Sequence, residues 1–151
     1  MLNPKTLLAL VAMIPLSLAA QKDVVSAYNA NVDGDYLKAA EYIDKAIEDP
    51  KANVKEKTWR YRGNIYTNIA ADSACYLVYP DAFQRVLDSY AKSEELDLKN
   101  RSSEDRVEQL GRAALVAQLL AGEFYEREDY QSSGSHFLYA AELAKGAQKP
   151  D

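Results

Sequence analysis

Trp59, Gly63 and Tyr66 stand at i, i+4 and i+7 within KTWRYRGNIYTNIA, residues 57–70, and so share one face of a helix. A glycine inside a helix costs about 1 kcal/mol relative to alanine, so Gly63 between two large aromatics marks a place where another backbone comes close. That face is an interface. A chain that carries it has to supply the helices that cover it.

Such helices are readable on both sides. Upstream, Val24, Val25, Ala27, Tyr28 and Val32 give a short apolar helix that Asp33-Gly34-Asp35 breaks. Tyr36, Leu37, Ala39, Ala40, Ile43, Ala46 and Ile47 then form an amphipathic run that ends at Pro50. Downstream, Pro80-Asp81 opens a run through Phe83, Val86, Leu87, Tyr90, Leu96 and Leu98. Ser102-x2-Asp105 reads as a capping box in front of Val107, Leu110, Ala114, Ala117, Ala121 and Phe124. Glu128-Asp129-Tyr130 repeats the turn Gly34-Asp35-Tyr36. The expectation is three helical hairpins, at about 22–49, 54–98 and 103–147. Three columns recur at an interval of 47: Tyr36, Phe83 and Tyr130; Ile43, Tyr90 and Phe137; Ala46, Ser93 and Ala140. With Ala27, Gly34, Ala39, Trp59, Gly63, Tyr66 and Ala121 these are the expected packing positions.

Trp59-x3-Gly63-x2-Tyr66 resembles the first-helix half of the tetratricopeptide repeat (TPR), and Gly34-Asp35-Tyr36-x2-Ala39-x3-Ile43-x2-Ala46 resembles its second half. Arg62 stands where the pattern usually has leucine, with an alkyl stem able to pack along Trp59. Tyr66 and Phe83 lie 17 residues apart where the pattern leaves about six, so the second hairpin holds an insertion, DSACYLVY, before Pro80. With that insertion and Pro-Asp-Ala after it, the chain is similar to secreted bacterial TPR proteins. The resemblance implies an all-α fold, three antiparallel hairpins stacked as a short right-handed solenoid. A spacing of 47 also touches HEAT-like repeats, the alternative fold. Cys75, Tyr76, Leu77, Val78 and Tyr79 are too apolar for a bare loop, and folding back onto the array is the expected outcome, contact with a partner the alternative.

TPR arrays bind peptides in the concave groove lined by the first helix of each pair. Carried onto this chain, the resemblance implies groove positions Tyr28, Asn31, Lys57, Arg60, Asn64, Thr67, Asn68, Gln118 and Tyr125. Arg60 and Asn64, one turn apart, suit a ligand carboxylate. A solvated basic helix end, Lys55, Lys57, Arg60 and Arg62, is the competing reading. Of the eleven tyrosines, Tyr36, Tyr66, Tyr90 and Tyr130 fall on core positions, and Tyr28, Tyr61 and Tyr125 on surface ones. The implied function is a protein-interaction module or scaffold holding a polypeptide. The alternative is self-stacking through the C-terminal hairpin, or the front of a longer array.

Composition narrows the classes further. A net charge of -5 argues against binding nucleic acid, which depends on neutralising phosphates with Lys and Arg. Residues 1–20 read as a secretory signal peptide: a basic start at Lys5, an apolar core, then small residues before Gln21. Their apolar stretch is short of the roughly 20 residues that span a bilayer, so the expected mature chain is not membrane-embedded and is periplasmic or extracellular. One cysteine and one histidine build neither a disulfide framework nor a zinc site, and no metal or cofactor is expected. Ser133, Ser135 and His136 cluster nucleophile and base types without a third orienting group, so His136 reads as a surface or interface residue. A helical hydrolase accessory subunit using Ser135 and His136 is the remote alternative. Glu123, Glu126, Glu128 and Asp129 lack calcium-loop spacing and read as a solvated acidic elbow.

Overall fold

The computed structural model describes residues 14–148, and most of the expected signal segment lies outside them. Seven helices and no strand make up the described part: α1 Ile14–Val32, α2 Tyr36–Ile47, α3 Glu56–Ala71, α4 Ser73–Val78, α5 Ala82–Leu96, α6 Ser103–Glu126 and α7 Tyr130–Ala147. The fold is all-α. Helices pack in pairs along the chain, α1 on α2, α3 on α5 across the short α4, and α6 on α7, while α3 also meets α1, α2 and α6. No helix among the described residues is long and apolar enough to cross a membrane. α1 starts well before the expected first hairpin at about residue 22, because no breaker lies between Pro15 and Asp33, and proline is tolerated in a first helical turn.

Two of the turns are the same turn. Gly34 has φ +80 and Glu128 has φ +61, both in the left-handed region that closes a helix. Asp35 N–H then donates to Ala30 carbonyl at 2.8 Å, and Asp129 N–H to Phe124 carbonyl at 2.9 Å. The next aspartate side chain caps the following helix, Asp35 accepting from Lys38 N–H and Asp129 from Ser132 N–H. The helix openings of α6 and α4 differ. Ser102 caps nothing with its side chain; Asp97 instead accepts from the Arg101 and Ser102 N–H groups, and Asp105 points to Arg60. Asp72 closes α3 and caps α4 in one residue, through Cys75 N–H at 2.9 Å.

The core is built from small residues at one end and aromatics at the other. Ala27, Ala39, Ala40, Ile43 and Ala46 are fully buried between α1, α2 and their neighbours, which lets those helices approach closely. In the second pair Tyr66, Phe83 and Tyr90 are buried. Gly63 is needed by a side chain rather than by a second backbone: a Cβ there would stand 2.6 Å from the ring of Tyr90. That ring is held in place by its hydroxyl, which donates to Asn64 Oδ1 at 2.6 Å. Trp59 is half-buried, and its indole N–H donates to Asn53 carbonyl at 2.6 Å, tying the start of α3 to the preceding loop.

The interval of 47 fails in the last helix. Tyr130 and Phe137 are 61% and 48% exposed, whereas Ser133, His136 and Leu143 are buried. α7 is thus turned by about one residue from the phase of Ile43 and Tyr90, with Ala140 only half-buried. His136 takes the inward place because it has polar partners there. Its Nδ1 lies 2.7 Å from Ser132 carbonyl, an acceptor only, so Nδ1 carries the proton, and Nε2 accepts from the Tyr76 hydroxyl at 2.8 Å. The histidine expected at a surface or interface is therefore buried between α4 and α7.

Tyr76 comes from the insertion, which folds back as α4. Tyr76 and Tyr79 lie against Phe83 and Tyr66, at ring separations of 5.7 and 5.5 Å, while Leu77 and Val78 remain exposed. Burial, then the neighbouring Asp72, pushes the Cys75 thiol up, away from reactive thiolate.

Two ionic clusters join the pairs. Asp44 of α2 accepts from Arg62 Nε and Arg85 Nη1, both at 2.8 Å, and from the Tyr66 hydroxyl at 2.6 Å. Asp97 and Arg106 make the most buried pair, each side chain 7% exposed, at 2.8 Å. Burial raises the Asp97 carboxyl, but hydrogen bonds from Arg106 and the two backbone N–H groups outweigh it and bring it down to about 2. A folded-state value below the unfolded one means stability that is complete above pH ~4 and lost as pH falls toward 2. Discounted for its place beside a solvent-facing loop, the contribution is about 1–2 kcal/mol. Urea midpoints between pH 5 and 2 are expected to fall more steeply for the native chain than for Asp97→Asn, the two curves converging near pH 2.

Candidate functional site

An open cleft of about 360 Å³ lies between α1 and the start of α3. Its walls include Val24, Val25 and Tyr28 from α1, and Lys55, Lys57 and Tyr61 from the start of α3 and the residue before it. Apolar residues of α1 reach it because Ala27 and Ala30 occupy the inward face of that helix and leave Val25 and Tyr28 on the outside. Tyr28 and Tyr61 stack at 4.9 Å between ring centroids, with planes 28° apart. Lys57 Nζ stands 5.1 Å from the Tyr61 ring and the Arg60 guanidinium 5.3 Å from it. The result is an aromatic floor with exposed lysines at its rim, a surface suited to apolar and acidic side chains of an extended segment.

Of the expected groove positions, Tyr28 and Lys57 line this cleft. Asn31 and Asn68 are bonded to each other, Asn68 Nδ2 donating to Asn31 Oδ1 at 2.8 Å. Thr67 is fully buried, its hydroxyl donating to Gly63 carbonyl at 2.9 Å, so it faces the core and lines no surface. Gln118 and Tyr125 are exposed on α6, which contributes nothing to the cleft wall.

Arg60 holds carboxylates, but they are the chain's own. Its Nε donates to Glu56 at 3.0 Å and its Nη1 to Asp105 at 2.7 Å. Asn64, its expected partner, accepts from Tyr90. Burial lowers the Arg60 value, but Asp105 and Glu56 raise it further, so the guanidinium is a fixed cation bridging α3 and α6. Arg62 is no solvated helix end: its side chain is 9% exposed, between Trp59 and Tyr66.

Tyr61 is the cleft residue the repeat pattern passed over. Its signal was present in the sequence as an aromatic four residues after Lys57 and off the Trp59 face.

A second hollow, about 470 Å³, lies among Leu87, Tyr90, Arg106, Val107 and Leu110. Its guanidinium is already engaged by Asp97 and Asn100. Ser135 donates to Gln131 carbonyl at 3.0 Å on the exposed side of α7, turned from the buried His136, whose two nitrogens are both engaged. Among the described residues no group of three or more His, Cys, Asp and Glu gathers to hold a metal. No family model matches the chain, and no curated protein or solved structure matches it significantly.

Proposed function

We propose that the chain is a secreted or periplasmic TPR-like protein, a short right-handed solenoid of three hairpins, that acts as an interaction module or scaffold. It holds an extended polypeptide with acidic and apolar side chains, and performs no reaction of its own. The observation that carries this reading is the Tyr28–Tyr61 stack flanked by lysines, in a cleft between the first helices of two successive pairs. The sequential pairing of helices and the duplicated turn at Gly34 and Glu128 support the repeat reading.

The test is an array of 12-residue peptides graded in acidic and aromatic content, probed with the labelled full chain. Acidic peptides with apolar residues are expected to bind best. Tyr28→Ala and Lys57→Glu, at exposed positions, are each expected to weaken binding at least tenfold, the loss of about 1.4 kcal/mol that an interface anchor commonly represents. Binding indifferent to both changes, or absent across the array, overturns the reading.

A further inference from the structure

The outward face of α7 repeats the relief of α3 with no helix laid over it, the Tyr125 ring of α6 lying against Tyr130 at its edge, 5.4 Å between centroids. Tyr130, Gly134, Phe137 and Ala141 follow the spacing of Trp59, Gly63, Tyr66 and Ala70: aromatic, glycine, aromatic, alanine. On α3 the glycine receives the ring of Tyr90; on α7 a Cβ at Gly134 would meet nothing within 4 Å. Tyr130 and Phe137 are exposed, and Leu138 beside them is 71% exposed. Packing of a helix against such a face seats a large side chain in the hollow over the small one, as Tyr90 does over Gly63.

The order large, small, large, small is complementary to itself when two copies run antiparallel. With the two-fold axis between residues 135 and 136, Phe137 of each copy meets Gly134 of the other, and Tyr130 meets Ala141. The antiparallel order also brings Lys145, at the C-terminal end of the stripe, to the end of the second copy's α7 where the turn from α6 carries Glu126 and Glu128. All three side chains are exposed. A parallel pairing would instead set the acidic elbow on itself.

We propose that α7 pairs with α7 of a second copy in this antiparallel register, as a closed two-fold dimer. An 18-residue helix is roughly 27 Å long, and one helix face buries less than the ~800 Å² per partner of a standard interface, so the dimer is weak, with Kd on the order of 10–100 µM. The cleft, lined by α1, α3 and the residues before α3, stays open in it. Binding of peptide and pairing of copies are thus separate properties, and either can fail alone.

Sedimentation equilibrium of the full chain from ~1 µM to ~1 mM tests this. A mass rising from monomer to dimer is expected. Phe137→Glu and Gly134→Leu, both at exposed positions, are each expected to raise Kd at least tenfold with unchanged helical circular dichroism. Lys145→Glu and Glu126→Lys are each expected to weaken self-association, and an equimolar mixture of the two to restore it as a heterodimer. A monomer mass across the whole range overturns the proposal. So do masses growing past the dimer, a dimer indifferent to Phe137→Glu and Gly134→Leu, or charge variants that fail to pair with one another.

Discussion

Arg62→Ala is expected to destabilise the fold by about 3 kcal/mol, lowering the thermal midpoint by roughly 10 °C for a chain of this size. Arg62 is the more enclosed of the two arginines in the Asp44 cluster. It bonds Asp44 through Nε and Ser89 Oγ through Nη1, both at 2.8 Å, and its guanidinium lies 4.9 Å from the Tyr66 ring. Truncation leaves Ser89, which is fully buried, and half of Asp44 without their donors, and opens space beside Trp59. Arg85 still holds the other oxygen of Asp44, which keeps the loss below the upper end for broken buried pairs. Two further variants separate shape from charge. Arg62→Lys cannot reach Asp44 and Ser89 together and is expected to lose most of the same stability. Arg62→Met preserves packing volume, and a midpoint equal to the native one would show that the ionic bonds contribute nothing net.

Phe83→Ala is the second large effect, about 3–5 kcal/mol. The ring is fully buried and has three aromatic neighbours at 5.7 Å: Tyr76 of the insertion, and His136 and Tyr139 of α7. Removing it deletes area and three ring contacts at once, each worth about 0.5–1.5 kcal/mol beyond area burial. Because those neighbours belong to two helices other than its own, the change is expected to be non-local. Hydrogen exchange should accelerate in α4 and along the buried side of α7 while α1 and α2 keep their protection. Uniform acceleration across all helices, or none in α4, would refute the role given to Phe83.

These two sites show what was legible in the sequence and what was not. The helix pairs were readable because each breaker has its own mechanism: left-handed turns at Gly34 and Glu128, and prolines at Pro50 and Pro80. The Trp59–Gly63–Tyr66 face was readable because a glycine between aromatics has few other uses, although what fills it is a tyrosine ring. The rotation of α7 was not readable. It depends on Tyr76 being at hand to satisfy His136, and the place of Tyr76 depends on how an insertion folds. Exposed Phe137 and Tyr130 follow from the same rotation, an aromatic pattern by itself being silent about which side a neighbour occupies. In the cleft, Tyr28 and Lys57 are two positions that the repeat resemblance had implied for a groove. Thr67 was misassigned because threonine at helical spacing can turn its hydroxyl onto its own backbone and pass as apolar. Of the two partners of Arg60, Glu56 lies one turn away on the same helix, whereas Asp105, 45 residues on, could not be foreseen.

The insertion helix also makes the two seams of the molecule unlike. Between the first and second pairs, the Asp44–Arg62–Arg85–Tyr66 cluster sets orientation through directional bonds, partly open to solvent. Between the second and third, Tyr76, Phe83, His136 and Tyr139 add a contact of rings to the Arg60–Asp105 and Asp97–Arg106 pairs. Ionic strength acts on the partly open ion pairs of both seams and least on the buried Asp97–Arg106 pair, while heat capacity and cold sensitivity belong mainly to the ring contact. Cooling therefore loosens chiefly the seam away from the cleft, whose walls come from the first and second pairs.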